Sequence, residues 1–288
     1  MKSEQLAWLI RRHGIEMTHI SHGSHIGSIL SVADIVAVLY NDVANITPED
    51  YEDDNRDRII LSKGHAGAAI YAALAEKGFF PVKELKTHYA DGSRLSGHVS
   101  HKGIPGVEIS TGSLGHGACM ACGIALNAKL ENKPYFTYAI TGDGECDEGS
   151  IWEMALFANH FKLNQFVVIV DHNKMQSLDY CENTLSLSSF SKKWEAFGWN
   201  VYDIDGHNHD EIRSALNQAK KSTDKPTVII ANTVKGNGIS FMENNILWHY
   251  RFPHEGEEYD MALKELHAAM PKGIVDPYDV DACGEEVK

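Results

Sequence analysis

The sequence lacks an excess of positive charge. Its 26 lysine and arginine residues are outnumbered by 40 aspartate and glutamate residues, so the formal net charge is −14 at pH 7. Proteins that bind nucleic acids use lysine and arginine to neutralise phosphates, and no dense basic stripe is present here. We therefore expect no nucleic-acid partner.

Long hydrophobic runs and a cysteine framework are also missing. The run FVVIV is among the longest, whereas a helix needs roughly 20 apolar residues to cross a bilayer. The N-terminal segment MKSEQLAWLIRRHGIEM carries charges throughout and has no signal-peptide core. The five cysteines form an odd set without a disulfide-scaffold pattern. We therefore expect no membrane partner and a cytoplasmic location.

Apolar runs of the strand type alternate with helical patterns in much of the chain. The first ~130 residues are mostly helical in pattern, and strand and helix alternate after them. The order is strand YFTYAIT, helix EGSIWEMALFANHFK, strand QFVVIVDHN, strand NVYDI, helix HDEIRSALNQAKKS and strand PTVIIANT. This order is typical of an α/β fold, a parallel sheet with helices on both faces.

No repeat and no low-complexity linker divides the chain. We therefore predict one domain over residues 1–255. Residues 256–288 are predicted to form a last helix, EEYDMALKELHAAM, followed by an exposed acidic tail.

A carboxylate lies in a tight glycine turn, GDGECDEG, directly after a predicted strand. Asp143 follows that strand and Asn173 follows the next one. Because a right-handed βαβ unit returns the chain parallel to its start, both residues should lie at the carboxyl edge of one sheet, where such sheets bind ligands. Their oxygens suit Mg²⁺ or Ca²⁺, and the glycines let phosphates come close. The spacing alone is equally compatible with two ordinary turns.

The longer pattern around this turn resembles the thiamine diphosphate motif, which opens with GDG and closes with an asparagine about 30 residues later. Further segments resemble blocks of the transketolase family in the family's order. They are SHGSHIGS, RIILSKGHAGAAIYAAL, SGHVSHKGIPGVEISTGSLGHGACMACGIALNAK, DGHNHDEI and TVKGNGISFMENN. The chain is thereby similar to the diphosphate-binding half of transketolases.

The resemblance implies a set of residues that bind thiamine diphosphate and its metal. Asp143, Asn173 and the backbone carbonyl of Met175 would hold Mg²⁺ or Ca²⁺, and the backbone of Gly144 would contact the diphosphate. His65 is expected near the diphosphate as well. The turn that would pack beside the thiamine consists of Gly112, Ser113 and Leu114.

The resemblance also implies a catalytic set and a reaction. Four histidines match those that line the family's cofactor and substrate channel, namely His25, His65, His98 and His249. Glu148 matches a glutamate in a carboxylate network across the subunit interface. The implied reaction is transfer of a two-carbon ketol group from a ketose to an aldose, in which imidazoles would move hydroxyl protons.

The sequence departs from the family pattern after the last of these histidines. In WHYRFP, Tyr250 and Arg251 follow His249, where the family commonly has a small residue. The shape of the channel mouth is therefore expected to differ from the family's.

The resemblance implies a partner chain. A complete transketolase continues into a pyrimidine-binding domain whose glutamate bonds the cofactor ring, and this chain ends before that domain would begin. We therefore expect a heterotetramer with two copies of each chain, in which the partner is a separate C-terminal transketolase subunit. The expected substrate is a sugar phosphate or similar anionic sugar. The alternatives are the thiamine-binding component of a 2-oxoacid dehydrogenase, which shares GDG and the asparagine, and a non-catalytic thiamine diphosphate binder.

Other chemistry-bearing residues have simpler interpretations. The CMAC segment is interpreted as small buried filler, and Asn208 or His209 as the N-cap of the helix DEIRSAL. Several histidines are interpreted as surface or capping residues: His13, His19, His160, His209 and His254.

Overall fold

The computed structural model describes residues 1–279 and contains a five-stranded sheet. The end of the predicted acidic tail, which includes Cys283, lies outside the described residues. The strands are β1 (Arg58–Leu61), β2 (Thr137–Gly142), β3 (Phe166–His172), β4 (Asn200–Asp205) and β5 (Thr227–Asn232).

Helices connect and flank these strands. They are α1 (Ser3–Ser21), α2 (Ile26–Val38), α3 (Gly67–Glu76), α4 (Gly117–Leu130), α5 (Gly149–His160), α6 (Cys181–Thr184), α7 (Phe190–Ala196), α8 (His209–Ala219) and α9 (Glu257–Ala268). Short 3₁₀ turns at Gly144–Asp147 and Ile246–His249 lie at the carboxyl edge of the sheet and near it.

All strand pairs are parallel, and the order across the sheet is β1-β2-β3-β5-β4. The predicted parallel α/β fold is confirmed, and four of the strands lie where the alternating pattern predicts them. The edge strand β1 was not predicted. Its four residues, RIIL, are too short to show a period and lie within a mostly helical region.

Two hydrophobic layers form because successive strand residues point to opposite faces. Ile140 and Ile169 pack with α1, α2, α3 and α8 on one face. Val168 and Val170 pack with α4, α5 and α7 on the other. Since both faces are covered, β3 is apolar and buried from Phe166 to Val170.

Residues Ile26–Val43 form the one described helical stretch that is long and apolar enough to cross a membrane. Of this 18-residue window, 83% is buried inside the domain, as in the core helix of a soluble protein. The search for uninterrupted apolar runs misses it because Asp34 and Asp42 interrupt it.

The segment after Gly256 packs against α1. The indole Nε1 of Trp8 donates to the carbonyl of Leu266 at 2.8 Å, and Arg12 bonds the buried Asp276 at 2.7 Å. The predicted helix here is present as α9. The domain boundary at residue 255 stays a prediction.

Polar residues on the first turn of α8 act as the sequence predicts, with one correction. The side chain of Asn208 caps the helix by accepting from the backbone N–H groups of Asp210 and Glu211. His209, interpreted as a surface or capping residue, is instead buried and bonds Ser3 and Asp34. Its interpretation was wrong because contacts with α1 and α2 do not show in the sequence.

His13 was also wrongly interpreted as a surface or capping residue. Its side chain is fully buried. Its Nε2 lies 2.6 Å from the carboxylate of Glu76, and its Nδ1 lies 2.7 Å from the hydroxyl of Tyr278. These partners are distant in sequence, so no local pattern indicates them.

Candidate active site

The carboxyl edge of the sheet carries a cavity of about 210 Å³. Gly142 on β2 pairs in register with Asp171 on β3, so the following residues Asp143 and Asn173 lie on neighbouring loops. All but two of the residues predicted from the sequence line this cavity. The exceptions are Ser113 and Glu148, which are exposed.

Asp143 is a buried carboxylate without a direct cationic partner among the described residues. It is 2% exposed and accepts backbone N–H groups from Gly144 at 2.8 Å and Lys174 at 2.5 Å. Burial is the main cause that raises the pKa of Asp143. A divalent cation would offset this cost. The oxygens of Asp143 and Asn173 and the carbonyl of Met175 are the hard donors that Mg²⁺ or Ca²⁺ prefers, so the residues present fit such an ion.

Asp171 connects four parts of the site from beneath. It is fully buried, forms an ion pair with Lys63, and accepts the hydroxyls of Ser31, at 2.6 Å, and Thr233. Burial alone would raise its pKa, but the charge of Lys63 and these hydrogen bonds hold the pKa of Asp171 below its usual value. The amide nitrogen of Asn173 also lies 3.3 Å from this carboxylate, which directs the amide oxygen away from Asp171.

Glu145, not the predicted Glu148, is the buried glutamate of the GDGECDEG turn. It is 1% exposed and accepts from Ser62 at 2.5 Å, from the N–H of Gly115 at 2.9 Å and from the N–H of Gly142 at 3.2 Å. It thereby joins the loops after β1 and β2 to the STGSLGHG turn.

A glycine permits the close contact between two of these loops. A Cβ atom on Gly64 would collide with the backbone carbonyl of Thr111. The absence of a side chain at this position lets the SKGHAG and STGSLGHG segments lie side by side.

Four imidazole rings form one cluster on the cavity wall. The ring centroid of His25 lies 5.1 Å from that of His65, 5.6 Å from that of His98 and 5.2 Å from that of His249. His65 and His249 are 5.8 Å apart. The four histidines come from three distant parts of the chain and the 3₁₀ turn at Ile246–His249.

These histidines are neutral at pH 7. Burial, with smaller contributions from His98 and the two lysines of the site, lowers the pKa of His25 to about 4. Burial and the charge of Lys235 lower the pKa of His249 to about 3. Burial also lowers the pKa of His65 and of His98. Each ring therefore offers one N–H donor and one lone pair.

Lys235 sets the proton position on His249. Its ammonium lies 2.7 Å from Nδ1 of His249 and 3.4 Å from the carbonyl of Met175. Because an ammonium can only donate, Nδ1 accepts and the proton of His249 lies on Nε2. Burial and the charge of Lys63 lower the pKa of Lys235 to about 8, which leaves it mostly charged at pH 7.

The loop that carries Lys235 is held by a second histidine network. Val234 donates its backbone N–H to Nε2 of His207 at 2.8 Å. Nδ1 of His207 lies 2.7 Å from the buried carboxylate of Asp34, which is also paired with Arg11. The DGHNHDE segment therefore contributes more than a helix cap, because His207 fixes the backbone next to Lys235.

His25 has a backbone conformation that side chains rarely adopt. Its φ is 77°, in the left-handed region, at the start of α2. Such a conformation costs of the order of 1–3 kcal/mol at a non-glycine residue and is typical of functional sites. It places the ring of His25 in contact with all three other imidazoles.

A larger cavity of about 960 Å³ lies beside this one and shares Asn173 with it. Its walls come mainly from residues 180–192, between β3 and α7. It contains none of the four clustered histidines, so the chemistry described above belongs to the smaller cavity.

Sequence reasoning missed Lys63, Lys235, Asp171 and Glu145. All four lie within segments that carry the family pattern, but single lysines and acids are usually solvated, so residue type gave no reason to select them. The available signal was their position next to predicted site residues.

Comparison with known proteins agrees with this geometry. A family model described as "Transketolase, thiamine diphosphate binding domain" matches residues 3–256. The 6-deoxy-6-sulfo-D-fructose transketolase subunit SqwG of Clostridium sp. (strain MSTE9) is 44% identical over 225 residues, which cover 78% of this chain and 82% of that one. An apulose-4-phosphate transketolase subunit of Actinobacillus succinogenes is 42% identical over 267 residues, covering 91% and 95%.

This chain belongs to the transketolase family. The crystal structure of transketolase from Campylobacter jejuni superimposes with a TM-score of 0.85 at 30% identity, and the match covers 92% of this chain but only 42% of that longer chain. The family and the cofactor thiamine diphosphate predicted from the motifs are confirmed. The 2-oxoacid dehydrogenase alternative is not favoured, because these matches are to transketolases.

The buried imidazoles of this transketolase domain predict how its stability depends on pH. Between about pH 4 and 6.5, His25 binds a proton in the unfolded chain but not in the folded one. The free energy of unfolding should therefore rise with pH across this window. Urea unfolding of the purified chain at several pH values should show a slope that His25→Gln reduces by up to about one proton.

His254→Gln provides the matched control, because His254 is exposed. It should leave the slope unchanged. An unaltered slope in His25→Gln would show that this imidazole is not held neutral by burial.

Proposed function

We propose that this chain is the thiamine diphosphate-binding subunit of a two-chain transketolase that transfers a two-carbon ketol group from a ketose to an aldose. One observation carries the proposal. The oxygen donors of Asp143, Asn173 and Met175 and a cluster of four neutral imidazoles line the same cavity. The relatives that match over nearly their whole length are named transketolase subunits, which supports a division between two chains.

The floor of the cavity would hold the metal and the diphosphate. Asp143, Asn173 and the carbonyl of Met175 would ligate Mg²⁺ or Ca²⁺, and the N–H of Gly144 would approach the diphosphate. Lys63 and Lys235 place two buried ammonium groups on the same cavity. Their charge would balance a polyanion in a site from which water is largely excluded.

The remaining predicted cofactor residues would contact the thiamine. Gly112 and Leu114 line the cavity, and Gly112 faces the ring of His98. Ser113 and Glu148 are exposed beside it, where a partner chain could cover them. We propose that Glu148 joins a carboxylate network at that interface.

The imidazoles would move protons on the sugar. Thiamine diphosphate supplies a nucleophilic carbon that takes up the electron pair of the broken C–C bond. His65, His98 and the Nε2–H of His249 face the space above the metal ligands, with His25 between them. A neutral imidazole can accept a proton from a sugar hydroxyl at one step and return it at another.

Exposed apolar side chains support an assembly with more than one chain. On α4 and α5, Leu130 is 69% exposed and Leu156 is 60% exposed, and Met120, Phe157 and Phe161 each exceed 40%. Such a patch is typical of an interface. We propose a cytoplasmic heterotetramer with two copies of each chain, in which two copies of this chain meet through α4 and α5.

The substrate is proposed to be an anionic sugar. One relative is named for a sulfonated fructose and another for apulose 4-phosphate. Both names describe sugars with an anionic group, which a sugar phosphate also has.

Removal of the proposed metal ligand should abolish cofactor binding. In the complex reconstituted with its partner chain, the variant Asp143→Ala should show no measurable affinity for thiamine diphosphate by calorimetry with Mg²⁺ present. Folding should be retained, because the change removes a buried charge from an edge loop.

Asp224→Ala is the control for this experiment, because Asp224 is an exposed acid remote from the cavity. It should bind the cofactor normally. Near-normal affinity in Asp143→Ala would refute the metal assignment.

Removal of a clustered imidazole should affect turnover far more than stability. We expect His65→Ala and His98→Ala to lower kcat by about 10²–10⁴-fold in the reconstituted complex, the usual contribution of general acid–base catalysis. The exposed His254 serves as the control, and His254→Ala should keep its activity. Equal losses in all three variants would mean that the cluster is structural.

The chain without its partner should be catalytically inactive. The family resemblance assigns the glutamate that engages the cofactor ring to the pyrimidine-binding domain, and we propose that the partner carries it. Ketol transfer should be absent over a range of thiamine diphosphate and Mg²⁺ concentrations and should appear on titration with the partner. Sedimentation should then show two copies of each chain.

Robust turnover by the pure single chain would overturn the two-chain proposal. Activity with the partner but a different stoichiometry would overturn only the heterotetramer.

A further inference from the structure

Tyr250 lies at the mouth of the cavity and contacts the imidazole cluster. Its ring centroid lies 4.6 Å from that of His249 and 5.5 Å from that of His25, and both contacts are edge-on. The side chain lines the cavity but is 62% exposed, whereas the neighbouring Trp248 and His249 are buried. Tyr250 is therefore the part of this turn that an entering molecule meets first.

The hydroxyl of Tyr250 makes no hydrogen bond within the described part of the chain. Other tyrosines near this end of the fold are bonded: the hydroxyl of Tyr71 donates to the carbonyl of His98 at 3.1 Å, and that of Tyr259 donates to Glu16 at 2.5 Å. The hydroxyl of Tyr250 can thus bond a ligand without breaking an internal contact.

The backbone that carries Tyr250 is anchored on both sides. Asn245 caps the preceding turn by accepting from the N–H of Leu247 at 3.2 Å, and the indole of Trp248 donates to the carbonyl of Phe241 at 3.1 Å. On the other side, Arg251 pairs with Glu258 at 2.5 Å. Tyr250 is therefore presented to the mouth by a fixed segment, which reduces the entropy cost of a contact with a ligand.

The position of Tyr250 relative to the site decides which part of a substrate it can reach. The lysines and metal ligands form the floor, and the imidazoles form the wall where bonds would break. The mouth lies farther out. A ketose whose carbonyl end sits among the imidazoles would bring its remaining carbons, hydroxyls and anionic group past the ring of Tyr250.

We propose that Tyr250 is a specificity residue for the portion of the ketose beyond the two transferred carbons. Its ring narrows the mouth that a small residue would leave open, and its hydroxyl donates a hydrogen bond to a hydroxyl or anionic oxygen of that portion. This inference rests on the ketol transfer proposed above.

The test compares long and short donors in the complex with the partner chain. The long donors are five- and six-carbon ketose phosphates and a six-carbon ketose 6-sulfonate, and the short donor is 3-hydroxypyruvate, which has no sugar chain beyond the transferred carbons. For the long donors that the wild type uses, Tyr250→Phe should raise KM about 3–10-fold with little change in kcat, the effect of one lost hydrogen bond. Its kinetics with 3-hydroxypyruvate should stay within about 2-fold of wild type, well below that effect.

Tyr250→Gly removes the ring as well as the hydroxyl. It should raise KM for the long donors further and reduce the discrimination among them, because the mouth is then open. The control is Tyr202→Phe, which alters a half-buried tyrosine on β4 at the far edge of the sheet and should change neither donor class.

The outcomes separate this inference from the proposed function. Equal losses with long and short donors would show that Tyr250 only supports the imidazoles, and no loss with either would show that it does not touch the substrate; both overturn the inference but leave ketol transfer intact. If the wild-type complex uses no donor at all, including 3-hydroxypyruvate, the proposed function fails and this inference fails with it.

Discussion

The buried ion pair between Lys63 and Asp171 is the interaction on which the site depends. Two charges removed from water are costly unless their remaining hydrogen-bonding capacity is satisfied. Asp171 meets this condition through Ser31 on α2 and Thr233 after β5. Because Asp171 lies at the end of β3, these bonds pull the loops after β1 and β5 and the start of α2 toward one point. The cavity is formed where they converge.

Around that satisfied pair, the domain keeps several groups in states that do not favour its own stability. Asp143 is a buried carboxylate without a direct cationic partner among the described residues, and His25 has a left-handed backbone and an imidazole held neutral. Lys235 stays mostly charged although it is buried. Each cost would fall when a metal and a diphosphate enter, so the free energy that these groups withhold from folding is available for binding the cofactor.

The same arrangement explains why chemistry and selectivity lie at different depths. Charged groups on the floor, Lys63 and Lys235, suit a cofactor that is retained. Neutral imidazoles above them suit a substrate whose hydroxyls must lose and regain protons. The exposed ring of Tyr250 at the mouth suits discrimination, because the mouth contacts only what the chemistry does not consume.

The sequence by itself determined the parallel fold, the family and most of the candidate site. Strands such as β3 are long and apolar enough to identify, and Asp143 and Asn173 follow two of them, so topology alone places both at one edge. Only the tertiary structure decided which acids and histidines are buried. Glu145 rather than Glu148 joins the loops, and His13 and His209 lie inside rather than on the surface. Burial depends on partners such as Glu76 and Asp34, which are distant along the chain, and a local pattern has no access to contacts that form only when distant segments pack together.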